Sequence, residues 1–171
     1  MRVLYPKDFI KLVLIDEMAD VVIKHPYLAF LLIASGIEFL GKCFDTNVQE
    51  WDWYDKKYQK YNREHPPFDT AINKLFKPKY KKLLAKYNLR HQLRNGMVHM
   101  YTPKAGIGLT QIKHDKKGEI TNEKHPKEEN GKLTLVIEYF YMDFVEACKK
   151  ILAKEFNVFD KMKKPLLKIP E

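Results

Sequence analysis

The sequence predicts a mainly α-helical protein, an up-and-down bundle of four to five helices with a β-hairpin insertion before the last helix. Three observations support this prediction. The 171 residues include only 7 glycines, whereas Leu, Lys, Glu and Ala, which favour helices, are abundant. Apolar residues recur at helical spacing through most of the chain. One stretch, residues 105–141, instead has the alternation and the β-branched residues typical of strands.

The first two helices are predicted from a cap and a proline. Asp8 can cap a helix that runs to about residue 24, and Pro26 can open a second helix over about residues 27–44. The second helix is apolar almost all round, so we expect it to be the central, most buried one. Glu38 interrupts its apolar surface. Because an unpaired buried charge is costly, this carboxylate needs a partner or a wet cleft.

The middle of the chain is less regular. In residues 45–67, aromatic and charged side chains alternate over Trp51–Tyr58, which predicts a short amphipathic helix. Asp69 or Thr70 can then cap a brief helix through about residue 76.

A long helix is predicted next. Pro78 opens it, it runs from Lys79 to about Tyr101, and Pro103 ends it. Gly96 lies inside this helix and weakens it by about 1 kcal/mol relative to alanine. The close approach of a second backbone or of a phosphate would explain a glycine at this position.

Residues 105–141 are predicted to form the β-hairpin insertion. Residues 107–112 alternate in polarity and Leu133–Phe140 is a strong β run. Turns at residues 116–118 and at Asn130-Gly131 separate the two runs. We therefore expect two or three antiparallel strands with a polar, basic loop.

The chain ends in a last helix and a tail. Asp143 can cap a helix from Phe144 to Phe156. The tail, about residues 160–171, is rich in Lys and Pro, so we expect it to be loosely held. The length of the chain suits a single domain, residues 1–171, with one sizeable core.

The charge balance favours a polyanionic partner. Lys and Arg total 31 against 22 Asp and Glu, a formal charge of +9, which raises the odds of binding RNA, DNA or nucleotide. A solvated lysine surface is the alternative explanation. The arginines are more informative, because two of the four in the chain, Arg90 and Arg94, lie close together.

The remaining composition favours a soluble, cytoplasmic protein that does not enter a membrane. Cys43 and Cys148 are far apart in apolar stretches and predict buried thiols in a reducing compartment. The start of the chain lacks the features of a signal peptide. The longest apolar run, Tyr27–Ile37, is too short to span a bilayer. No cofactor is indicated. A metal site is not expected either, because the loop histidines, among them His125, have no convergent ligands.

One segment, residues 89–101, concentrates the chemistry. On a helix, its apolar members share one face, which predicts a core face made of Leu89, Leu93, Met97 and Met100. Its polar members form two adjacent stripes on the opposite side, Arg90 with Arg94 and His91 with Asn95 and His99. The alternative is that these residues only cap or pair the end of an ordinary helix, where basic side chains suit the helix dipole.

The eight residues Arg94-Asn95-Gly96-Met97-Val98-His99-Met100-Tyr101 resemble the signature of the HEPN family of nucleotide- and RNA-handling proteins. That signature is an Arg, often followed by Asn, and a His after four to six further residues. The tyrosine two residues past the His is similar to the form found in HEPN toxins that are paired with minimal nucleotidyltransferases.

The resemblance implies a metal-independent endoribonuclease, as a toxin or defence component. Such an enzyme cuts RNA when the 2′-hydroxyl attacks the adjacent phosphate. His99 would be the base, since histidine titrates near neutral pH. Arg94 would hold the phosphate bidentately and stabilise the developing charge. Asn95 would orient the imidazole or contact the sugar–phosphate. Arg90, His91, Tyr101 and Glu38 are the candidate substrate-binding residues.

A second subunit is expected. Arg94 and His99 are about 140° apart around a straight helix, which makes one copy a poor pincer. Family members solve this by dimerising, so we expect a two-fold homodimer. The Tyr101 match further implies nucleotidylation by a cognate nucleotidyltransferase antitoxin. Two other hypotheses remain open, a HEPN-like module that binds RNA, nucleotide or protein without cleaving, and a structural domain with an accidental match.

Overall fold

The structure is a computed structural model that describes residues 2–44, 51, 61, 63–104, 106–153 and 160–169. Its described part is mainly helical and carries a small three-stranded sheet, which agrees with the predicted class at that level. Six helices follow one another in the described residues: α1 (π-helical Phe9–Glu17 between α-helical Pro6–Asp8 and Met18–Lys24), α2 (Pro26–Phe44), α3 (Pro67–Leu75), α4 (Pro78–Tyr87), α5 (π-helical Arg90–Asn95 continued by α-helical Gly96–Met100) and α6 (Ile137–Ala153).

The strands form two small sheets. They are β1 (Arg2–Leu4), β2 (Ile107–Thr110), β3 (Lys127–Glu129), β4 (Lys132–Val136) and β5 (Leu167–Ile169). β1 pairs with β5, and β4 lies between β2 and β3. A 3₁₀ turn, Asp160–Lys163, precedes β5.

Helix α2 is the central helix, as predicted. It packs against α1, α3 and α6, and Ile33, Ile37 and Leu40 have no solvent exposure. Gly41 permits the tightest of these contacts, since a Cβ atom there would lie 1.8 Å from the carbonyl oxygen of Pro67 at the start of α3. Any side chain at position 41 would therefore push α2 and α3 apart.

The apolar stretch of α2 is longer than the predicted run 27–37. Among the described residues, 26–43 are long and apolar enough to cross a membrane by length and composition alone. Half of this stretch is buried inside the protein, where α2 packs against α1, α3 and α6.

Two predicted helix starts are wrong for the same reason. Helix α1 begins at Pro6 with Tyr5 as its N-cap, so Asp8 lies inside the helix and caps nothing. Helix α3 begins at Pro67, before the predicted caps Asp69 and Thr70. In both cases a proline occupies the first helical position, where its missing N–H costs nothing.

The insertion differs from an antiparallel hairpin. β3 and β4 are antiparallel around Asn130-Gly131, but β2 runs parallel to β4, with Ile107 opposite Leu133. A parallel pair needs a long connection, and residues 111–126 supply one. The predicted strand 133–140 is also too long, because its β-branched residues continue into helix α6 at Ile137.

The start of α6 moves Asp143 from a predicted cap into the helix interior. There it lies on the same face as Phe140, Phe144 and Ala147 and is only 6% exposed. Both predicted buried thiols are confirmed, since Cys43 and Cys148 are free and fully buried.

The described part of the tail is fixed rather than loose. Lys161 is 1% exposed, its ammonium donates to the carbonyl oxygen of Lys42 (2.5 Å), and its own carbonyl oxygen accepts from the indole of Trp51 (2.7 Å). β5 then pairs with β1. The prediction failed because pairing with the distant N-terminal strand leaves no local signal. The predicted helix 51–58 lies outside the described residues, apart from Trp51 itself.

Candidate functional site

The segment predicted to carry the chemistry forms a helix of its own. Helix α4 ends at Tyr87, and Asn88 caps it in the left-handed conformation with φ 45°. Helix α5 then begins at Arg90, so the predicted continuous helix 79–101 is wrong. Asparagine tolerates this conformation better than most residues, which places the break at position 88. The segment that carries Arg94 is therefore a helix separate from α4.

Gly96 is explained by a second backbone, as predicted. A Cβ atom at this position would lie 2.6 Å from the carbonyl oxygen of Thr102 and 3.0 Å from the amide nitrogen of Lys104. The chain turns back because Tyr101 adopts a left-handed conformation with φ 55°. The Lys104 N–H then donates to the carbonyl oxygen of Gln92 (2.9 Å), which ties the returning chain to α5.

The predicted core face of α5 is confirmed at three of its four positions. Leu89, Leu93 and Met97 are at most 2% exposed. Met100 is 64% exposed, so its assignment to the core is wrong. Helix α5 ends at Met100, and the chain beyond it returns over Gly96 instead of covering the Met100 side chain.

Glu38 of α2 has the partner that its position requires. Its carboxylate accepts a hydrogen bond from Arg94 Nε at 2.5 Å, and the ammonium of Lys42 lies 3.7 Å away. Arg94 also donates from one terminal nitrogen to the Oδ1 atom of Asn95 (2.9 Å). Two bonds therefore fix the guanidinium plane, and both partners are half-buried.

These side chains line a small pocket of about 140 Å³ between α2, α3 and α5. Its lining comprises Glu38, Lys42, Pro66, Pro67, Phe68, Arg90, Arg94 and Asn95. Three cationic groups thus face one carboxylate. The pocket is smaller than the 300 Å³ or more typical of drug-sized ligands, and it suits a single anionic group such as a phosphate.

The hydrogen-bonding capacity of Arg90 is only partly used. Its Nε lies 3.5 Å from Oδ1 of Asp69, close enough for an ion pair but without a hydrogen bond, and both buried atoms lack another partner among the described residues. Burial raises the pKa of Asp69, and the Arg90 charge opposes that shift. Burial likewise lowers the pKa of Lys42, against the attraction of Glu38. Arg90 therefore keeps a buried hydrogen-bond donor that no described residue satisfies.

The other candidate residues lie outside this pocket. His91 is exposed and accepts from the ammonium of Lys104 (2.9 Å). His99 is exposed in the last turn of α5 and makes no hydrogen bond to the described residues. Tyr101 is 71% exposed, and its carbonyl oxygen accepts from the Tyr27 hydroxyl (2.6 Å). The structure therefore brings Arg90, Arg94, Asn95 and Glu38 together in one pocket and leaves the two histidines and Tyr101 on the open surface.

Sequence reasoning missed a second polar cluster. His125, set aside as a loop residue, has a side chain only 3% exposed, and its Nε2 atom lies 2.8 Å from the Tyr80 hydroxyl. That hydroxyl donates to Asp143 (2.8 Å), which also binds Lys77 (2.6 Å) and Lys79 (3.1 Å). The missed signal was the position of Asp143. A helix starting at Ile137 would have placed this carboxylate on an apolar face, where it needs partners.

The hydrogen bonds of this cluster fix the state of His125. The Val136 N–H donates to Nδ1 (3.0 Å), so Nδ1 is the acceptor and Nε2 carries the proton. Burial lowers the pKa of His125 to about 4, and the charge of Lys79 adds to the shift. Burial favours a raised pKa at Asp143, yet bonds from Lys77, Tyr80 and Lys79 bring it below its usual range. The imidazole is therefore neutral and sealed.

A metal centre has no support in the described part of the chain. No three His, Cys, Asp or Glu side chains there lie close enough together to bind an ion.

Comparisons of the chain with protein-family models, with curated proteins and with solved structures return no match. The HEPN resemblance therefore rests on the motif residues 94–101 themselves.

Proposed function

We propose that the protein is a HEPN-like, metal-independent endoribonuclease that works in the cytoplasm as a toxin or defence component, built on an up-and-down helical bundle. The observation that carries the proposal is the cationic pocket around Arg94, with an exposed His99 on the same short helix. A guanidinium held in a fixed plane suits a phosphate, and an unbonded, exposed imidazole suits proton transfer.

The reaction needs two proton transfers at one phosphate. The base removes the proton of the 2′-hydroxyl, the 2′-oxygen bonds to phosphorus, and the bond from phosphorus to the 5′-oxygen breaks. The leaving 5′-oxygen takes up a proton from water, so the products are a 2′,3′-cyclic phosphate and a 5′-hydroxyl. His99 accepts the first proton, and Arg94 binds the phosphate oxygens as their charge increases.

A homodimer would complete the site. His99 does not line the pocket that Arg94 lines, so each phosphate would be held by Arg94 of one subunit and attacked with the help of His99 from the other. Met100 and Tyr101, both exposed beside His99, supply apolar surface for such an interface. The exposed hydroxyl-bearing ring of Tyr101 is also accessible to a cognate nucleotidyltransferase.

The test is cleavage of total RNA by the purified protein in EDTA. We expect fragments with 2′,3′-cyclic phosphate ends, and losses of about 10²-fold or more in Arg94→Ala and in His99→Ala. His114→Ala, which removes an exposed histidine from the connection between β2 and β3, is the matched control and should cleave normally.

Mixing the two inactive variants tests the dimer. If Arg94 and His99 act across the interface, a heterodimer of Arg94→Ala and His99→Ala contains one intact site, and activity returns on mixing. If both residues act within one protomer, no mixture is active.

A second candidate function is RNA or nucleotide binding, or protein interaction, without cleavage. The observation in its favour is that Arg94 is already hydrogen bonded to Glu38 and that His99 lies outside the pocket. Retained RNA binding with no cleavage by the wild-type protein would select this candidate.

A further inference from the structure

A second cleft lies beside the motif and is not explained by cleavage alone. It measures about 410 Å³ and lies between the start of α2 and the segment that follows β2. Its lining comprises Pro26, Tyr27, Phe30, Leu109, Thr110, Gln111, Ile112 and Lys113. The volume falls within the range of small-molecule sites, so the cleft is large enough for a nucleotide where the Arg94 pocket is not.

We propose that this cleft binds one base of single-stranded RNA next to the cleaved phosphate, an inference that rests on the proposed nuclease function. Proteins read single-stranded RNA by stacking bases on aromatic rings and by hydrogen bonds to the base edges. Tyr27 supplies a half-exposed ring in this cleft, and Gln111 supplies an amide that can both donate and accept.

The cleft is connected directly to the motif. The Tyr27 hydroxyl donates to the carbonyl oxygen of Tyr101 (2.6 Å), two residues after His99. This bond fixes the direction of the Tyr27 ring and holds it close to the end of α5. A base stacked on Tyr27 would therefore belong to a nucleotide adjacent to the phosphate that His99 reaches.

The wall that carries Gln111 is preorganised. The Ile112 N–H donates to the carboxylate of Glu138 (2.9 Å), and the side chain of Asn122 binds both the carbonyl oxygen of Gln111 (2.8 Å) and the N–H of Lys113 (2.8 Å). These bonds occupy the backbone and leave the Gln111 amide and the Lys113 ammonium without a partner among the described residues. A ligand can therefore use both side chains without breaking the structure that positions them.

The positive charge at the edge of the cleft favours a nucleotide, which carries a phosphate, over an uncharged aromatic ligand. Lys113 is exposed at the edge of the cleft and can bind a flanking phosphate while the base occupies the interior. The inserted sheet thus contributes to base recognition, because β2 and the segment after it form the wall of the cleft that contacts the base.

The first test measures binding of the four nucleoside 5′-monophosphates to the full chain by calorimetry, with no cleavage required. We expect Tyr27→Ala to weaken binding about tenfold or more, because the stacking surface is lost. Tyr27→Phe keeps the ring and should stay within about threefold of wild type. Tyr5→Ala removes an exposed tyrosine elsewhere and is the control.

The second test sequences the ends of cleaved RNA. Gln111→Ala should lose the base preference beside the cleavage site among the RNA ends that it produces, and Lys116→Ala, which changes an exposed lysine outside the cleft, should keep that preference. Nucleotide binding that Tyr27→Ala weakens, without any cleavage, would keep the cleft as a base-binding site and reject the nuclease, and with it the position of the base beside a cleaved phosphate. Cleavage whose base preference is the same in wild type and Gln111→Ala, together with nucleotide binding that Tyr27→Ala leaves unchanged, would overturn this inference and keep the nuclease. Absence of both nucleotide binding and cleavage would reject the two together.

Discussion

Two polar clusters of this protein differ in the environment of the histidine that belongs to them or lies near them. Around Arg94, the charged groups are half-buried, and the nearby His99 is exposed and unbonded among the described residues. Around Asp143, the imidazole of His125 is 3% exposed, and both of its nitrogens are hydrogen bonded. The first cluster leaves groups available to a ligand, whereas the second uses its groups within the fold.

The environment of a histidine, and not its presence in a polar cluster, therefore indicates whether it serves catalysis or stability. A catalytic base must reach its substrate and change protonation state. His125 does neither, since it is sealed and stays neutral over the physiological range. The Asp143 cluster joins the segment before β3 to α4 and α6, so we expect it to set stability, and we expect the Arg94 cluster to set activity.

The largest stability effect is expected at Asp143. Asp143→Ala removes the acceptor shared by Tyr80, Lys77 and Lys79 and should lower the free energy of unfolding by about 3 kcal/mol. Urea unfolding measures this loss. Glu146→Ala, on the same helix and paired to the same Lys77 but 54% exposed, is the control and should cost less than about 1 kcal/mol. Equal losses of unfolding free energy in the two variants would show that the buried Asp143 cluster stabilises the fold no more than an exposed ion pair does.

The pH dependence of stability should come largely from His125. Because its pKa is about 4 in the folded protein and about 6.5 when unfolded, the unfolded state binds more protons between these values. Stability is therefore complete above pH 6.5 and falls as the pH drops toward 4, by about 3 kcal/mol. Lys79, Lys77, Asp143 and Tyr80 face the imidazole and are the same in both proteins, so urea unfolding of His125→Gln and wild type across this window isolates the contribution of His125. If the free energy of unfolding changes equally with pH in wild type and in His125→Gln, then His125 is not the source of the pH dependence.

Much of the fold could be predicted, because helical spacing and prolines are local signals. They located α2 as the central helix and indicated that Glu38 needs a partner and that Gly96 needs a second backbone nearby. The parallel pairing of β2 with β4 and the docking of the tail were not predicted, because each depends on residues distant in sequence. The left-handed turn at Asn88 was missed although asparagine is a local signal for it, because the helical spacing continues through position 88.

The candidate site was predicted only in part. Local spacing put Arg90, Arg94 and Asn95 on one side of a helix, and the structure adds their convergence on Glu38. The position of Asp143 on an apolar helix face was a signal that it needs partners, but the partners themselves could not be predicted, because His125 and Asp143 lie 45 and 63 residues after Tyr80.

Gly96→Ala should affect the Arg94 cluster through the backbone. The new Cβ atom would lie 2.6 Å from the Thr102 carbonyl oxygen, so the returning chain must move, at a cost of about 1–3 kcal/mol. Cleavage should fall with it, because the same chain carries Tyr101 and braces α5. Gly108→Ala is the matched control, since its nearest neighbour is a side-chain oxygen at 3.4 Å. Thermal unfolding and RNA cleavage of the two variants check this prediction.

The smallest effect is expected from Glu38→Gln. The amide oxygen can still accept from Arg94, but the pocket gains one positive charge, so RNA affinity at low salt should rise by a few fold. Affinity measured at two salt concentrations checks this, because the gain must shrink as salt increases. A loss of affinity at both concentrations would mean that the carboxylate, and not the cations, contacts the ligand.

The most direct measurement of the contrast between the clusters compares His99→Ala with His125→Gln in one RNA cleavage assay, corrected for the folded fraction. We predict that His99→Ala loses about 10²-fold or more in cleavage rate with an unchanged unfolding midpoint. His125→Gln should lower the midpoint and leave the rate per folded molecule within about twofold. An active His99→Ala, or a folded but inactive His125→Gln, would contradict this account.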